Sequence, residues 1–193
     1  MARLTEMRAV RRAPELGDAV LCSRLASGDL SALGELYERH ASAVRAFAGR
    51  LAGAREADDI AHDAFLALAR SAARYDGRAE VRAYLFGIAA MLARGRARSL
   101  ARWLRTLGRV RHAATPAPSP EEHAASTEEL RRFEGALERL DVGKRAVLLM
   151  AEVEGLSGEQ IAAALGIPVA TVWTRLHYAR ADLRRALGRG AEP

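Results

Sequence analysis

The sequence predicts an all-α protein made of two small helical domains joined by a flexible linker, the second containing a helix-turn-helix. Three observations lead there. Aromatic residues are 5% of the chain and alanine is abundant, which suits helices packed closely through small side chains rather than sheet. Apolar residues recur at three- and four-residue intervals along most of the chain. The segment ATPAPSPEEHAAS, residues 114–126, has three alternating prolines and little to bury, so it separates two helical groups. At 193 residues there is length enough for two modest cores.

In chain order, residues 1–17 read as a basic, weakly patterned leader, expected to be flexible, and the first domain spans 18–108. From Asp18, helices are broken near Ser27–Asp29 and again near Gly53, with Leu21, Leu25, Leu33, Leu36, Tyr37, Val44, Phe47 and Leu51 as the core set. Cys22 reads as a small buried residue. The helix expected over residues 55–70 carries Ile60, Ala61, Ala64, Phe65 and Leu68 on its apolar face. Glu56, Asp58, Asp59, His62 and Asp63 cluster at its beginning. Acids at a helix start are favoured by the dipole, and a protein-docking face explains them equally well. Tyr75-Asp76-Gly77 marks a turn. Val81, Tyr84, Leu85, Ile88, Ala89 and Leu92 then define a helix to about Arg98, with Gly87 placed to allow a close approach by a neighbour.

From Arg94 the chain turns strongly basic: Arg94, Arg96, Arg98, Arg102, Arg105, Arg109 and Arg111 follow one another with no acid between Val81 and Pro120. Such a run suits phosphate contacts. Trp103, inside it, either anchors the helix end in the core or stacks on an exposed base. Residues 109–126 form the linker.

The second domain is expected over 127–188, with residues 189–193 as a tail. Thr127 is placed to cap a helix bearing Leu130, Phe133, Leu137 and Leu140, and after Asp141-Val142-Gly143 a second helix runs toward Gly155. Ser157 with Gln160 has the form of a capping box, Gly166 can close that helix in the left-handed conformation, and Pro168 suits the start of the next. Val172, Leu176, Ala179 and Leu183 repeat at helical spacing, which leaves Thr171, Thr174, Arg175, His177 and Tyr178 on other faces. That outline is a helix-turn-helix whose second helix fits a major groove.

The formal charge is +6 and the sequence pI about 10.3, with Lys144 the only lysine, so arginine supplies nearly all the positive charge. That balance favours an acidic partner such as nucleic acid. One cysteine excludes an intramolecular disulfide and any cysteine metal cluster. No stretch has signal-peptide form or approaches the roughly 20 apolar residues that span a bilayer, so no membrane insertion and a cytoplasmic location are expected. With no phosphate-binding glycine loop or paired catalytic constellation, the chain is read as a non-enzyme, with no catalytic residues, metal or cofactor.

Three segments together resemble the bacterial RNA polymerase sigma-70 family, in its extracytoplasmic-function (ECF) group, over roughly Leu30 to Leu187. ALGELYERHASAVRAFAGRLAG with ADDIAHDAFLALAR is similar to the first helices of the family's promoter-melting domain. VRAYLFGIAAMLARGRARS is similar to the helix that meets the −10 element, and LDVGKRAVLLMAEVEGLSGEQIAAALGIPVATVWTRLHYARADLRRAL to the domain that reads the −35 element. The chain departs from the usual pattern at Ala90 and Met91, where an arginine-asparagine pair is common, at Gly95, at Asp141-Val142-Gly143, and at Trp173 and Tyr178.

The resemblance implies a specificity subunit that directs core polymerase to promoters and assists strand opening. It implies polymerase docking through Asp58, Asp59 and Asp63, −10 contacts from Arg94, Arg96 and Arg98, and −35 contacts from Thr171, Thr174, Arg175, His177 and Tyr178. It also implies RNA polymerase core, promoter DNA and an anti-sigma protein as partners. Two other readings stay open at this point: a stand-alone helix-turn-helix regulator, and a divergent sigma-like protein acting mainly through protein interactions.

Overall fold

The computed structural model describes residues 16–106 and 128–188; the leader up to residue 15, the linker 109–126, Thr127 and the tail lie outside them. Among the described residues the secondary structure is helical throughout: α1 (Asp18–Ala26), α2 (Ser31–Ala52), α3 (Ala54–Ser71) with a 3₁₀ turn (Ala72–Arg74), α4 (Val81–Thr106), α5 (Glu128–Glu138), α6 (Val142–Glu152), α7 (Gly158–Leu165) and α8 (Val169–Gly188). The expected breaks fall where glycines take positive φ, at Gly28 (96°) and Gly53 (92°).

The first group, α1–α4, wraps α2, α3 and α4 around Phe47, which stacks on Phe86 with ring centroids 4.6 Å apart. Leu21, Leu25, Leu36, Val44 and Leu51 are buried as the periodicity predicts. Tyr37 is not: it stands at the surface with its ring 4.8 Å from that of Phe65. Cys22 is buried, and burial raises its thiol pKa to about 11, with Asp18 adding to the shift. In the second group, Asp141 caps α6 by accepting a hydrogen bond from the Gly143 N–H. The helix therefore begins at Val142, and the residues expected as a turn are its cap and first turn.

The two groups share one continuous apolar core, closed by three contacts. Gly87 of α4 lies against the backbone of α7: a Cβ there would fall 2.0 Å from the Ala164 carbonyl oxygen. Glu154, just after α6, is paired with Arg82 of α4 at 2.5 Å and with Arg50 of α2 at 3.5 Å. Arg145 of α6, 6% exposed, donates from Nη1 to Leu51 O (2.7 Å) and from Nη2 to Glu138 O (2.6 Å) and Leu140 O (3.1 Å). The Leu51 and Glu138 carbonyls belong to the ends of α2 and α5, where orphan acceptors and the negative end of the dipole favour a cation, and Leu140 lies just after α5. Burial lowers the Arg145 pKa, yet a guanidinium stays charged in this setting.

Candidate functional site

The helix-turn-helix is built as the sequence predicts. Ser157 and Gln160 make both hydrogen bonds of a capping box at the start of α7, and Gly166 closes the helix at φ 62°. Pro168 O then accepts from the Thr171 and Val172 N–H groups, so Pro168 stands at the cap of α8 rather than inside its first turn. Val172, Leu176 and Ala179 are buried and orient the helix.

Of the five residues predicted on α8, Thr174, His177 and Tyr178 share its exposed face, while Thr171 and Arg175 are half-buried on its flank. The Thr174 hydroxyl donates to Ala170 O at 2.9 Å. His177 and Tyr178 meet edge to face at 5.5 Å, and the Lys144 ammonium lies 5.7 Å from the Tyr178 ring centroid while pairing with Asp182 at 2.7 Å. Arg175 places its guanidinium beside the first turn of α6, 3.8 Å from where a Cβ on Gly143 would lie. Arg180 holds Glu152 at 2.5 Å.

On α4, Arg94 and Arg98 are exposed, but Arg96 is not a free cation. Its guanidinium bridges Glu56 (2.5 Å) and Asp63 (2.7 Å) of α3, and both acids hold its proton more firmly against the opposing effect of burial. The basic and acidic sets read separately from the sequence thus meet at Arg96 and Asp63, which pin α4 to α3. Asp58 is paired with Arg45 of α2, and Asp59 stands exposed beside it. Trp103 is 59% exposed and off the core, because it lies beyond Ala93, the last buried residue described on α4, and beyond Arg96, which ties the helix to α3.

Several residues that shape these surfaces were not singled out by pattern: Arg145, Glu154 with Arg50 and Arg82, and the Arg96 bridges. Charge spacing along one helix does not reveal contacts such as Arg96–Asp63, 33 residues apart in sequence, or Arg145–Leu51 O, 94 apart. Gly87 was legible, since an isolated glycine in a helical run signals close approach. Among the described residues, no group of three or more His, Cys, Asp or Glu is placed to hold a metal ion, and His40 is hydrogen-bonded to Asp18 at 2.6 Å. No described helix is long and apolar enough to cross a membrane.

Two family models match, Sigma-70 region 2 over residues 36–109 and Sigma-70 region 4 over residues 130–183. The chain is 34% identical over 189 residues to the RNA polymerase sigma factor CnrH of Cupriavidus metallidurans, covering 93% of this chain and 98% of that protein. It is 34% identical over 168 residues to the ECF RNA polymerase sigma factor SigL of Mycobacterium tuberculosis, covering 86% of this chain and 94% of that one. Among solved structures, CnrH in complex with the cytosolic domain of CnrY superposes with a TM-score of 0.58 at 30% identity, over 91% of this chain and 99% of that one. The region 2 match contains all of α4 and the region 4 match contains α7 and α8 as far as Leu183, so both surfaces described above fall inside matched segments. The chain belongs to the sigma-70 family of RNA polymerase sigma factors, in the extracytoplasmic-function group.

Proposed function

We propose that this protein binds core RNA polymerase, brings it to a promoter through α8 at the −35 element and the exposed end of α4 at the −10 element, and helps hold the strands apart once they open. The observation that carries this reading is the presence, in one chain and in family order, of a basic helix end and a helix-turn-helix on separate helical groups. The residues assigned to each step follow exposure. Arg94 and Arg98 are placed for phosphate contacts, with Trp103 exposed nearby for stacking on an unpaired base. Thr174, His177 and Tyr178 face the −35 groove. Asp59, together with Asp58, is placed to meet the polymerase, while Asp63 and Arg96 brace the helix that carries them. The chain performs no bond-making step of its own; captured bases and phosphates offset the cost of opening the duplex.

This reading requires the closed packing to open. Elements centred near −10 and −35 are ~85 Å apart on B-DNA at about 3.4 Å per base pair. A compact chain of 193 residues is only ~40 Å across. Release of α7 from Gly87, of Glu154 from Arg82 and Arg50, and of Arg145 from Leu51 O separates the two groups. Because CnrH was solved with the cytosolic domain of CnrY, we further propose a protein partner of anti-sigma type that favours the closed form. The test is capture of core polymerase by the purified chain. The parent should bind and an Asp59→Arg variant should bind at least tenfold more weakly with its helical content unchanged. Equal capture by both would remove Asp59 from the docking surface, and no capture by the parent would reject the function.

A further inference from the structure

The first two turns of α8 present an unusual surface for a helix aimed at a major groove. Residues near the start of a recognition helix are the ones that reach base edges. Here Pro168, Ala170 and Trp173 are exposed, and the Thr174 hydroxyl is turned back onto Ala170 O. The two arginines that follow are directed elsewhere, Arg175 to the start of α6 and Arg180 to Glu152. An arginine fork for a guanine edge is therefore not what this end of the helix offers.

Trp173 is 52% exposed and also held in place. Its indole lies over Gly158, the first residue of α7, so closely that a Cβ there would come within 2.6 Å of Cζ2 and 3.0 Å of Cε2. A ring seated this way loses little further freedom on binding, which makes it a rigid apolar probe. The thymine C5-methyl is the apolar group that the major groove displays.

We propose that Trp173 is a specificity-determining residue that reads a thymine methyl in the −35 element; this rests on the assignment of α8 to that groove. Gly158 is its positioning partner, since any side chain there displaces the ring. The chain then selects thymine at one −35 position by apolar contact.

The test uses the full chain assembled with core polymerase and duplexes carrying the −35 element of a promoter it activates. Each thymine is replaced in turn by deoxyuridine, which removes the methyl alone. With the parent, one replacement should weaken binding about fourfold, the worth of one buried methyl group. With Trp173→Ala the same replacement should have no effect, and Trp173→Phe should keep part of it while preserving the fold. If no position responds in a parent that binds the duplex, or if the response persists unchanged in Trp173→Ala, the inference is overturned while the −35 reading stands. A loss of affinity in Trp173→Ala of the same size on every duplex leaves the deoxyuridine response intact, assigns the ring to packing on Gly158 or to a protein contact, and overturns it in the same way. A parent that binds no −35 duplex overturns the −35 reading itself, and the inference with it.

Discussion

Replacing Gly87 with alanine tests whether the contact between the two helical groups holds the protein closed. The new Cβ would stand 2.0 Å from Ala164 O and 2.7 Å from Ala164 C, both backbone atoms that cannot rotate away. Ordinary contact begins near 3.4 Å, so α7 must withdraw by about 1.4 Å. A radial gap of even 0.5–1 Å forfeits a quarter to a half of the dispersion attraction, and forcing a methyl into a packed interface costs ~1–3 kcal/mol. Alanine also improves α4 as a helix by ~1 kcal/mol. That gain is the same in the closed and open forms and cancels from the equilibrium between them. The closed form should therefore lose ~2 kcal/mol relative to the open one, a shift of about 30-fold. Small-angle scattering should report a larger radius of gyration for Gly87→Ala. If opening precedes polymerase binding, apparent affinity for core polymerase should rise in proportion to the open fraction. An unchanged radius with a higher unfolding midpoint would mean that α4 simply gained helix propensity and that the α4–α7 contact does not hold the groups together.

Two further outcomes follow from specific contacts. Arg145→Ala removes three hydrogen bonds from a buried cation and strands carbonyls at the ends of α2 and α5, so it should cost ~3 kcal/mol in denaturant unfolding, with Arg145→Lys in between; a loss below ~0.5 kcal/mol would deny it that role. The Asp29 carboxyl, which accepts hydrogen bonds from Ser31 first and Arg24 second, has its pKa lowered from 3.8 to about 2. Its folded pKa lies below the unfolded one, so its contribution is fully present above about pH 4 and is lost as pH falls through about 2. A titration by nuclear magnetic resonance should give that midpoint, and Ser31→Ala should move it back toward 3.8.

Helix existence and order were legible because the apolar period is strong and the punctuation is explicit: Gly53, the Ser157–Gln160 box and Gly166 each act locally, and local chemistry is what a sequence displays. The helix-turn-helix was readable for the same reason. What escaped was long-range pairing. Arg96 reads as one more cation in a basic run, yet two acids from α3 claim it, a competition that only tertiary proximity reveals. Asp141 stands four residues before Arg145, the spacing of a helical ion pair, yet its side chain caps the helix, and the hydrogen-bond partners of Arg145 are backbone carbonyls that carry no sequence signature. Tyr37 kept the helical spacing of a core residue but lies at the edge of the buried stripe, where periodicity alone cannot separate packed from half-covered positions. Trp103 depended on how far α4 outruns its neighbours, which is a property of the assembled helices and not of any one segment.

A sigma factor gives core polymerase promoters it would not otherwise use. Reconstituted transcription with core polymerase on a library of genomic fragments, with start sites mapped in the presence and absence of the protein, tests it most directly. With the protein present, a set of new starts that share sequence near −10 and −35 should arise. Binding to duplex DNA without any new start would contradict it and leave a regulator that works apart from the polymerase.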